Sequence, residues 1–213
     1  MRRLPVYLLL DTSGSMTGEP IEQVKNGVQS LVAALRRDPQ ALETAYLSVI
    51  TFDSTARQVV ALSDLASFQP PDLKASGTTA LGPALELVAD CAARELVKSS
   101  PEIKGDWKPM LFIMTDGVPD SGWERGLLRF RAEKWGVVIG CAIGANGDRK
   151  VLEEIAGPER VVVMETADSA SFMAFFKWVS ASIATGSQRV DLNKKDVVAL
   201  SELPPPPPEL RIP

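Results

Sequence analysis

The sequence contains no histidine and only two cysteines among its 213 residues. The absence of histidine excludes nucleophilic catalysis by Ser-His-Asp or Cys-His arrangements, together with every zinc site that needs an imidazole. Two cysteines are too few for a four-cysteine zinc site. Cys91 lies in a helix-like segment and Cys141 in a strand-like one, and both are predicted to be small buried residues that form no disulfide. A metal ion bound by this chain would therefore have to be held by oxygen atoms.

The chain also lacks long hydrophobic runs and an excess of positive charge. No stretch approaches the roughly 20 apolar residues of a membrane-spanning helix. The segment Leu4–Leu10 follows two arginines, as in a signal peptide, but Asp11 interrupts it where a small-residue cleavage site would begin. A formal net charge of −4 without a basic patch argues against nucleic-acid binding. We therefore expect a cytoplasmic globular protein that binds neither membranes nor nucleic acids.

The most informative stretch lies near the start of the chain. An apolar run of strand length, Val6–Leu10, ends at Asp11, and Ser13 and Ser15 follow at alternating positions. Such a run is typical of a strand buried on both faces of a parallel sheet, and open α/β sheets bind ligands just past the carboxyl ends of their strands. One carboxylate and two hydroxyls are donors that Mg²⁺ or Mn²⁺ prefers. Taken alone, the pattern fits a turn that caps the next helix equally well.

Strand-like and helix-like segments alternate along most of the chain. The predicted strands are Val6–Leu10, Tyr46–Phe52, Ala56–Leu62, Pro109–Met114, Gly136–Ile143 and Val161–Met164. The predicted helices are 19–37, 81–96, Ser121–Trp135, Arg149–Ile155 and Ala170–Ile183. This alternation predicts an α/β fold with a doubly wound, mostly parallel six-stranded sheet, one antiparallel edge strand and helices on both faces. We expect one domain over residues 1–186.

A polar, proline-rich tail is predicted over residues 187–213. It contains five consecutive prolines, Pro204–Pro208, which favour a polyproline II conformation. The tail can be interpreted as a spacer, as a ligand for another domain or as a strap that lies on the sheet domain. Composition alone favours the spacer.

Oxygen donors follow two predicted strands and precede one predicted helix. Asp11 and Asp116 come at the ends of the first and fourth strands, which are neighbours across the switch point of a doubly wound sheet. The loop with Thr78 and Thr79 precedes a helix packed at the same edge and adds a hydroxyl. Convergence of three separated segments favours a metal site over three unrelated turns.

These three segments resemble the von Willebrand factor type A (vWA) domain with its metal-ion-dependent adhesion site (MIDAS). Residues 11–15 match the Asp-x-Ser-x-Ser signature, residues 77–82 look like the Gly-x-Thr-x-x-Gly element, and residues 115–117 are similar to the fourth-strand acid. The resemblance covers about residues 1–186 and implies a Rossmann-like fold. Within the family, the chain looks most like bacterial TerY-type tellurite-resistance proteins, which are grouped with a protein kinase and a PP2C-type phosphatase.

The resemblance also implies a set of metal-site residues. They are Asp11, Ser13, Ser15, Thr79 and Asp116. The serine hydroxyls would bind the ion directly, the threonine directly or through water, and the two carboxylates largely through coordinated waters, with Thr78 as the alternative threonine. The implied ion is Mg²⁺, with Mn²⁺ and Ca²⁺ as alternatives. Because its carboxylates lie partly in the second shell, the ion would keep enough positive charge to attract an Asp or Glu carboxylate of a partner.

We therefore expect a Mg²⁺-dependent protein-interaction module and not an enzyme. A protein kinase, a PP2C-type phosphatase or an AAA-type ATPase is the expected partner. One alternative is a Mg²⁺-dependent phosphotransferase or phosphatase with Asp11 as nucleophile, although Ser13 stands where haloacid-dehalogenase-type phosphatases have their general acid. The other is a scaffold or phosphorylation target that acts through the tail, with Ser201 as an accessible serine.

Three tryptophans and one methionine allow two interpretations. Trp107, Trp123 and Trp135 either line a partner surface around the metal or pack against the fold, and packing is favoured. Trp123 follows the Asp116 loop closely. Met16 beside the first loop is equally consistent with either role.

Overall fold

A six-stranded sheet forms the centre of the computed structural model, which describes residues 2–144, 147–189 and 200–211. The strands are β1 (Leu4–Asp11), β2 (Ala45–Phe52), β3 (Ala56–Asp64), β4 (Met110–Thr115), β5 (Val137–Ile143) and β6 (Val161–Met164). The α-helices are α1 (Glu19–Leu35), α2 (Pro39–Thr44), α3 (Leu81–Glu95), α4 (Glu124–Arg131), α5 (Arg149–Ala156) and α6 (Ser169–Arg189).

The strand order is β3-β2-β1-β4-β5-β6. β3 is antiparallel to β2, and the remaining neighbouring pairs are parallel. The predicted fold class is therefore confirmed, including the antiparallel edge strand and the contact between the first and fourth strands.

The sheet is buried on both faces, as the apolar strands predict. Every side chain of β1 is buried, and successive side chains point to opposite faces. Val6 and Leu8 pack in a core layer with α1 and α6, whereas Tyr7 and Leu9 pack in a second layer with α3, α4 and α5. Helices therefore cover both faces and leave the loops at the carboxyl ends of the strands free to form a site.

The helix predicted over Ser121–Trp135 is shorter than expected, since α4 is only eight residues long. Gly122 lies just before it with a φ of 84°, a left-handed conformation that interrupts a helix. Gly126 inside the helix packs directly on α3, because a Cβ at this position would lie 2.0 Å from the carbonyl oxygen of Gly82. The two glycines that weaken the helix pattern thus have separate roles, one in its start and one in its packing.

Two other helices differ from the prediction. α6 extends to Arg189, three residues past the predicted domain boundary, which itself stays a prediction. The short α2 was not predicted, although Asp38 before it is a good N-cap whose Oδ1 accepts a hydrogen bond from the Ala41 N–H (2.9 Å). Among the residues that the structure describes, none of the helices has the length and apolarity needed to cross a bilayer.

The tryptophans and Met16 pack against the fold. Trp107 and Met16 are buried at 1% and 0% exposure, which confirms the packing interpretation for both. Trp135 stacks on Phe130 with ring centroids 4.8 Å apart, and Trp123 packs against the core layer of α3 and α4.

The two cysteines are also confirmed as buried free thiols. Burial is the main cause that raises the pKa of both thiols, Cys91 and Cys141. Both are therefore poor nucleophiles.

Residues 200–211 lie against α6 and β6, and we call this segment the C-terminal strap. The Trp178 indole N–H donates a hydrogen bond to the Pro204 carbonyl (2.8 Å), and Leu203 and Leu210 are buried in the core layer of α1 and α6. Arg211 exchanges backbone hydrogen bonds with Val163 of β6 (2.8 and 3.0 Å). For these residues the strap interpretation is confirmed, and the spacer interpretation favoured by composition is wrong, because two leucines of the segment are buried in the core. The rest of the predicted tail after Arg189 lies outside the described residues.

Replacing Leu210 with alanine should lower the free energy of unfolding by about 2 kcal/mol, since the leucine is 3% exposed and its removal leaves a cavity. Urea unfolding of the full chain measures this. The matched control is Glu209→Ala on the same segment, where the side chain is exposed and a change within about 0.5 kcal/mol is expected. Equal stability of the two variants would show that the strap does not pack in solution.

Candidate metal centre

The site begins with two neighbouring strands that end side by side. In the parallel pairing of β1 with β4, Leu10 lies opposite Met114, so Asp11 comes next to Thr115 at the carboxyl edge of the sheet. The chain then leaves both strands in loops that carry Ser13, Ser15 and Asp116. The order of the sheet thus brings the two predicted carboxylates to one edge.

Asp11 is fully buried, and both of its carboxylate oxygens accept hydrogen bonds. The Ser13 backbone N–H donates to Oδ1 (2.8 Å), and the Thr115 hydroxyl donates to Oδ2 (2.5 Å). Burial raises the pKa of Asp11, the hydrogen bonds from Ser13 and Thr115 lower it, and the charge of Asp116 raises it. Within the described ranges no arginine or lysine pairs with Asp11, and neutral donors alone hold its buried carboxyl group.

The two serines connect Asp11's loop to Asp116. Ser13 Oγ and Ser15 Oγ lie 3.0 Å apart, and the Ser15 hydroxyl donates to Asp116 Oδ1 (2.7 Å). A single 3₁₀ turn, Gly14–Met16, holds this arrangement, with Met16 as its buried anchor. The hydroxyls and carboxylate of two separate loops therefore form one continuous polar cluster.

Thr79 lies beside this cluster, in the loop before α3. Its hydroxyl lies against the loop after β4, because a Cβ at Gly117 would be 2.9 Å from Thr79 Oγ1. The Thr79 side chain has no hydrogen-bond partner within the described residues, whereas the Thr78 hydroxyl donates to Asp120 Oδ2 (2.9 Å). Of the two threonines, Thr79 therefore lies beside the residue that follows Asp116, whereas the Thr78 hydroxyl is directed to Asp120. Asp11 is the last residue of β1, and the other four predicted side chains lie in these three loops.

Sequence reasoning missed three residues that hold the site. Thr115 lies within the motif of residues 115–117, where only Asp116 was predicted to have a role. Its hydroxyl positions Asp11. Asp120 binds the Thr78 hydroxyl, and Ser54 after β2 accepts a hydrogen bond from the Thr78 N–H (3.1 Å). The Thr-Asp-Gly motif was a signal for Thr115, whereas nothing local pointed to Ser54 or Asp120.

The donor set consists of two carboxylates and three hydroxyls. In the described part of the chain, no three side chains of histidine, cysteine, aspartate or glutamate cluster as a metal site, so any ion here would depend on the hydroxyls as well. A hydroxyl that binds a cation through an oxygen lone pair keeps its proton, so Ser15 could do so and still donate to Asp116. Two carboxylates that pair with no cationic side chain among the described residues, together with three hydroxyls, fit a divalent cation.

Replacing Thr115 with valine should destabilise the fold by about 2 kcal/mol. The change keeps the shape of the side chain but removes a donor to a buried carboxylate, and such charged hydrogen bonds contribute about 1.5–3 kcal/mol. The control is Thr12→Val, because the Thr12 hydroxyl is equally buried and donates to the neutral Phe52 carbonyl (3.2 Å), at a cost of about 1 kcal/mol. Urea unfolding without metal compares the free energies of unfolding of the two variants. An equal loss in both would contradict the role of Thr115.

Comparison with known proteins identifies the family. The profile of the von Willebrand factor type A domain matches residues 6–177. An uncharacterised protein of Synechocystis sp. is 34% identical over 128 residues, an alignment that covers 57% of this chain and 27% of that protein. The chain thus spans about a quarter of the length of this curated relative.

Solved structures show the same fold. Proximal thread matrix protein 1 from the mussel byssus, with a zinc-occupied MIDAS motif, superposes with a TM-score of 0.62 at 19% identity, over 86% of this chain and 48% of that one. The pilus adhesin SpaC from Lactobacillus rhamnosus GG superposes with a TM-score of 0.69 at 14% identity, over 87% of this chain and 31% of that one. Since the family profile matches residues 6–177, most of the sequence, this chain belongs to the von Willebrand factor type A domain family.

Proposed function

We propose that this vWA domain is a protein-interaction module that binds a divalent cation, Mg²⁺ in the first place, and through it a carboxylate of a partner protein. The observation that supports this most directly is the continuous cluster of oxygen donors from the loops after β1 and β4, with Thr79 of a third loop beside Gly117. Ser13 contacts Ser15 and Ser15 contacts Asp116, while Asp11 and Thr79 flank them. Because the cluster lies at the carboxyl edge of the sheet, the partner would approach the end of the sheet where ligands of open α/β folds bind.

Each residue has a distinct role in this proposal. The hydroxyls of Ser13, Ser15 and Thr79 would hold the cation, and Asp11 and Asp116 would act largely through water. Asp11 suits that indirect role, because both of its oxygens already accept hydrogen bonds from the protein. When bound, the cation supplies a positive site with an open position for a carboxylate.

The choice of ion follows from the donors. Oxygen ligands without nitrogen or sulfur favour Mg²⁺, Mn²⁺ or Ca²⁺, and neutral hydroxyls with water-mediated carboxylates suit Mg²⁺, which dehydrates reluctantly. The mussel protein has zinc in its MIDAS motif, which supports a divalent ion at the equivalent place in this chain.

The partner is proposed from the resemblance of the sequence to TerY-type proteins. It would be a protein kinase or a PP2C-type phosphatase in a bacterial stress or tellurite-resistance system. The wider resemblance to vWA domains adds an AAA-type ATPase as a further candidate. These partners stay predictions. The enzyme alternative has less support, because Asp11 as a nucleophile would have to leave two hydrogen bonds in a fully buried position. The strap is packed on α6, which gives less support to a freely accessible docking tail, although Ser201 is exposed.

Binding of Mg²⁺ or Mn²⁺ should raise the unfolding temperature of the full chain. At a free concentration 100 times the dissociation constant, the gain is about 2.7 kcal/mol, or roughly 5–10 °C for a chain of this size. Asp11→Asn should abolish the rise, because it removes the buried charge. The control Asp38→Asn makes the same change at a distant N-cap and should keep the full rise. If neither ion changed the unfolding temperature of the wild type, the proposed metal centre would be contradicted.

Partner binding should require both the ion and Asp11. A pull-down compares the wild type with Asp11→Asn, each in Mg²⁺ and in chelator, followed by replacement of the acidic residues of the captured protein by their amides. We expect capture only by the wild type in Mg²⁺, and loss of capture when one particular carboxylate of the partner is replaced. A partner retained in all four conditions would place the interaction on another surface.

A further inference from the structure

The loop after β4 contains two acidic residues with different partners. Asp116 accepts a hydrogen bond from the Ser15 hydroxyl, whereas Asp120 contacts the loop before α3 at two points. Asp120 Oδ2 accepts a hydrogen bond from the Thr78 hydroxyl (2.9 Å), and its backbone N–H donates to the Thr79 carbonyl (3.1 Å). One loop thus supplies a carboxylate of the metal centre and also holds the threonine segment.

The same segment is held from its other side by the loop after β2. The Thr78 N–H donates to Ser54 Oγ (3.1 Å), and the Ala80 N–H donates to the Asp53 carbonyl (2.8 Å). Thr78 is therefore fixed through both its amide and its hydroxyl. Thr79, directly next to it, has a side chain that makes no hydrogen bond to the described residues and lies against Gly117.

This arrangement distinguishes two consecutive threonines of identical chemistry. Either hydroxyl could bind a hard cation, and the resemblance of residues 77–82 to the Gly-x-Thr-x-x-Gly element implies Thr79, with Thr78 as the alternative. The contact with Asp120 uses the Thr78 hydroxyl as a donor and fixes its direction. Because the two residues share a peptide unit, fixing Thr78 also restricts the directions open to Thr79.

We infer that Asp120 is a positioning residue of the metal centre, which binds the Thr78 hydroxyl and so directs Thr79, and not Thr78, toward the Asp116–Gly117 loop. This inference rests on the proposed function, since its effect is on cation binding. Asp120 does not contact the cation in this scheme. It acts through Thr78.

A second way for Asp120 to act is through its charge, and three substitutions separate the two. Asp120→Asn keeps an oxygen that accepts the Thr78 hydroxyl but removes the charge. Thr78→Val keeps the charge but removes the donor. Asp120→Ala removes both. Because Asp120 is exposed, solvent and salt screen its charge, so the hydrogen bond should dominate.

The experiment is calorimetric titration of the full chain with Mn²⁺ at physiological ionic strength. Asp120→Ala and Thr78→Val should each weaken Mn²⁺ binding about five- to tenfold, as expected for a lost hydrogen bond behind a ligand. Asp120→Asn should stay within about twofold of the wild type. The double variant Asp120→Ala/Thr78→Val should bind no more weakly than either single variant, because both remove the same contact.

The matched control is Asp168→Ala. Asp168 is likewise an exposed aspartate, and it accepts a hydrogen bond from the Thr166 hydroxyl (2.7 Å). It also accepts a hydrogen bond from the Ser171 N–H in the first turn of α6. Its replacement should lower the unfolding temperature and leave Mn²⁺ affinity unchanged. A readout without metal is amide hydrogen exchange, which should become faster at Ala80 in Asp120→Ala but not in Asp120→Asn.

Three results would overturn the inference. The first is equal weakening by Asp120→Ala and Asp120→Asn with no effect of Thr78→Val, which would assign the effect to charge. The second is Mn²⁺ affinity in Asp120→Ala equal to that of the wild type, while Asp11→Asn abolishes binding, which would leave the proposed function intact. The third is absence of Mn²⁺ binding by the wild type, which would overturn the metal centre and this inference together.

Discussion

The parallel pairing of β1 with β4 is the contact on which the whole site depends. It places Asp11 beside Thr115, whose hydroxyl donates to the buried carboxylate, and it sends the loops with Ser15 and Asp116 out of neighbouring strand ends. A shift of this register would leave a buried carboxylate without its donor, which costs about 1–3 kcal/mol or more for a charged group. The alignment of the sheet and the geometry of the cluster therefore stabilise each other.

Much of the fold could be predicted from the sequence because its signals are local. Apolar runs of strand length predicted six strands, and one of them, Val161–Met164, has the bounds that the structure shows. The buried residues of α1 and α3 recur at helical spacing in the sequence, which places those side chains on one side of each helix. The residues predicted for the metal site were also identified from short motifs. Their convergence followed from a topological rule about strand order, which the observed sheet obeys.

What could not be predicted depends on contacts between distant parts of the chain. Thr115 and Asp11 are 104 positions apart, and Thr78 and Asp120 are 42 positions apart, so no local pattern reports either hydrogen bond. The strap was not favoured over the spacer for a related reason, since two leucines among prolines show no periodicity. Helix α2, with six residues, is too short to show an apolar stripe.

The strap has a consequence for how copies of this molecule behave toward one another. β6 is the outermost strand on its side of the sheet and has only four residues, and the backbone groups of Val163 are already paired with Arg211. Unpaired groups on an edge strand are a template for another chain, and proteins commonly cover such edges. By pairing with Val163 in the middle of this short edge, the strap hinders the addition of a strand from a neighbouring molecule, and a shortened chain without residues 200–211 would expose these backbone groups to edge-to-edge aggregation.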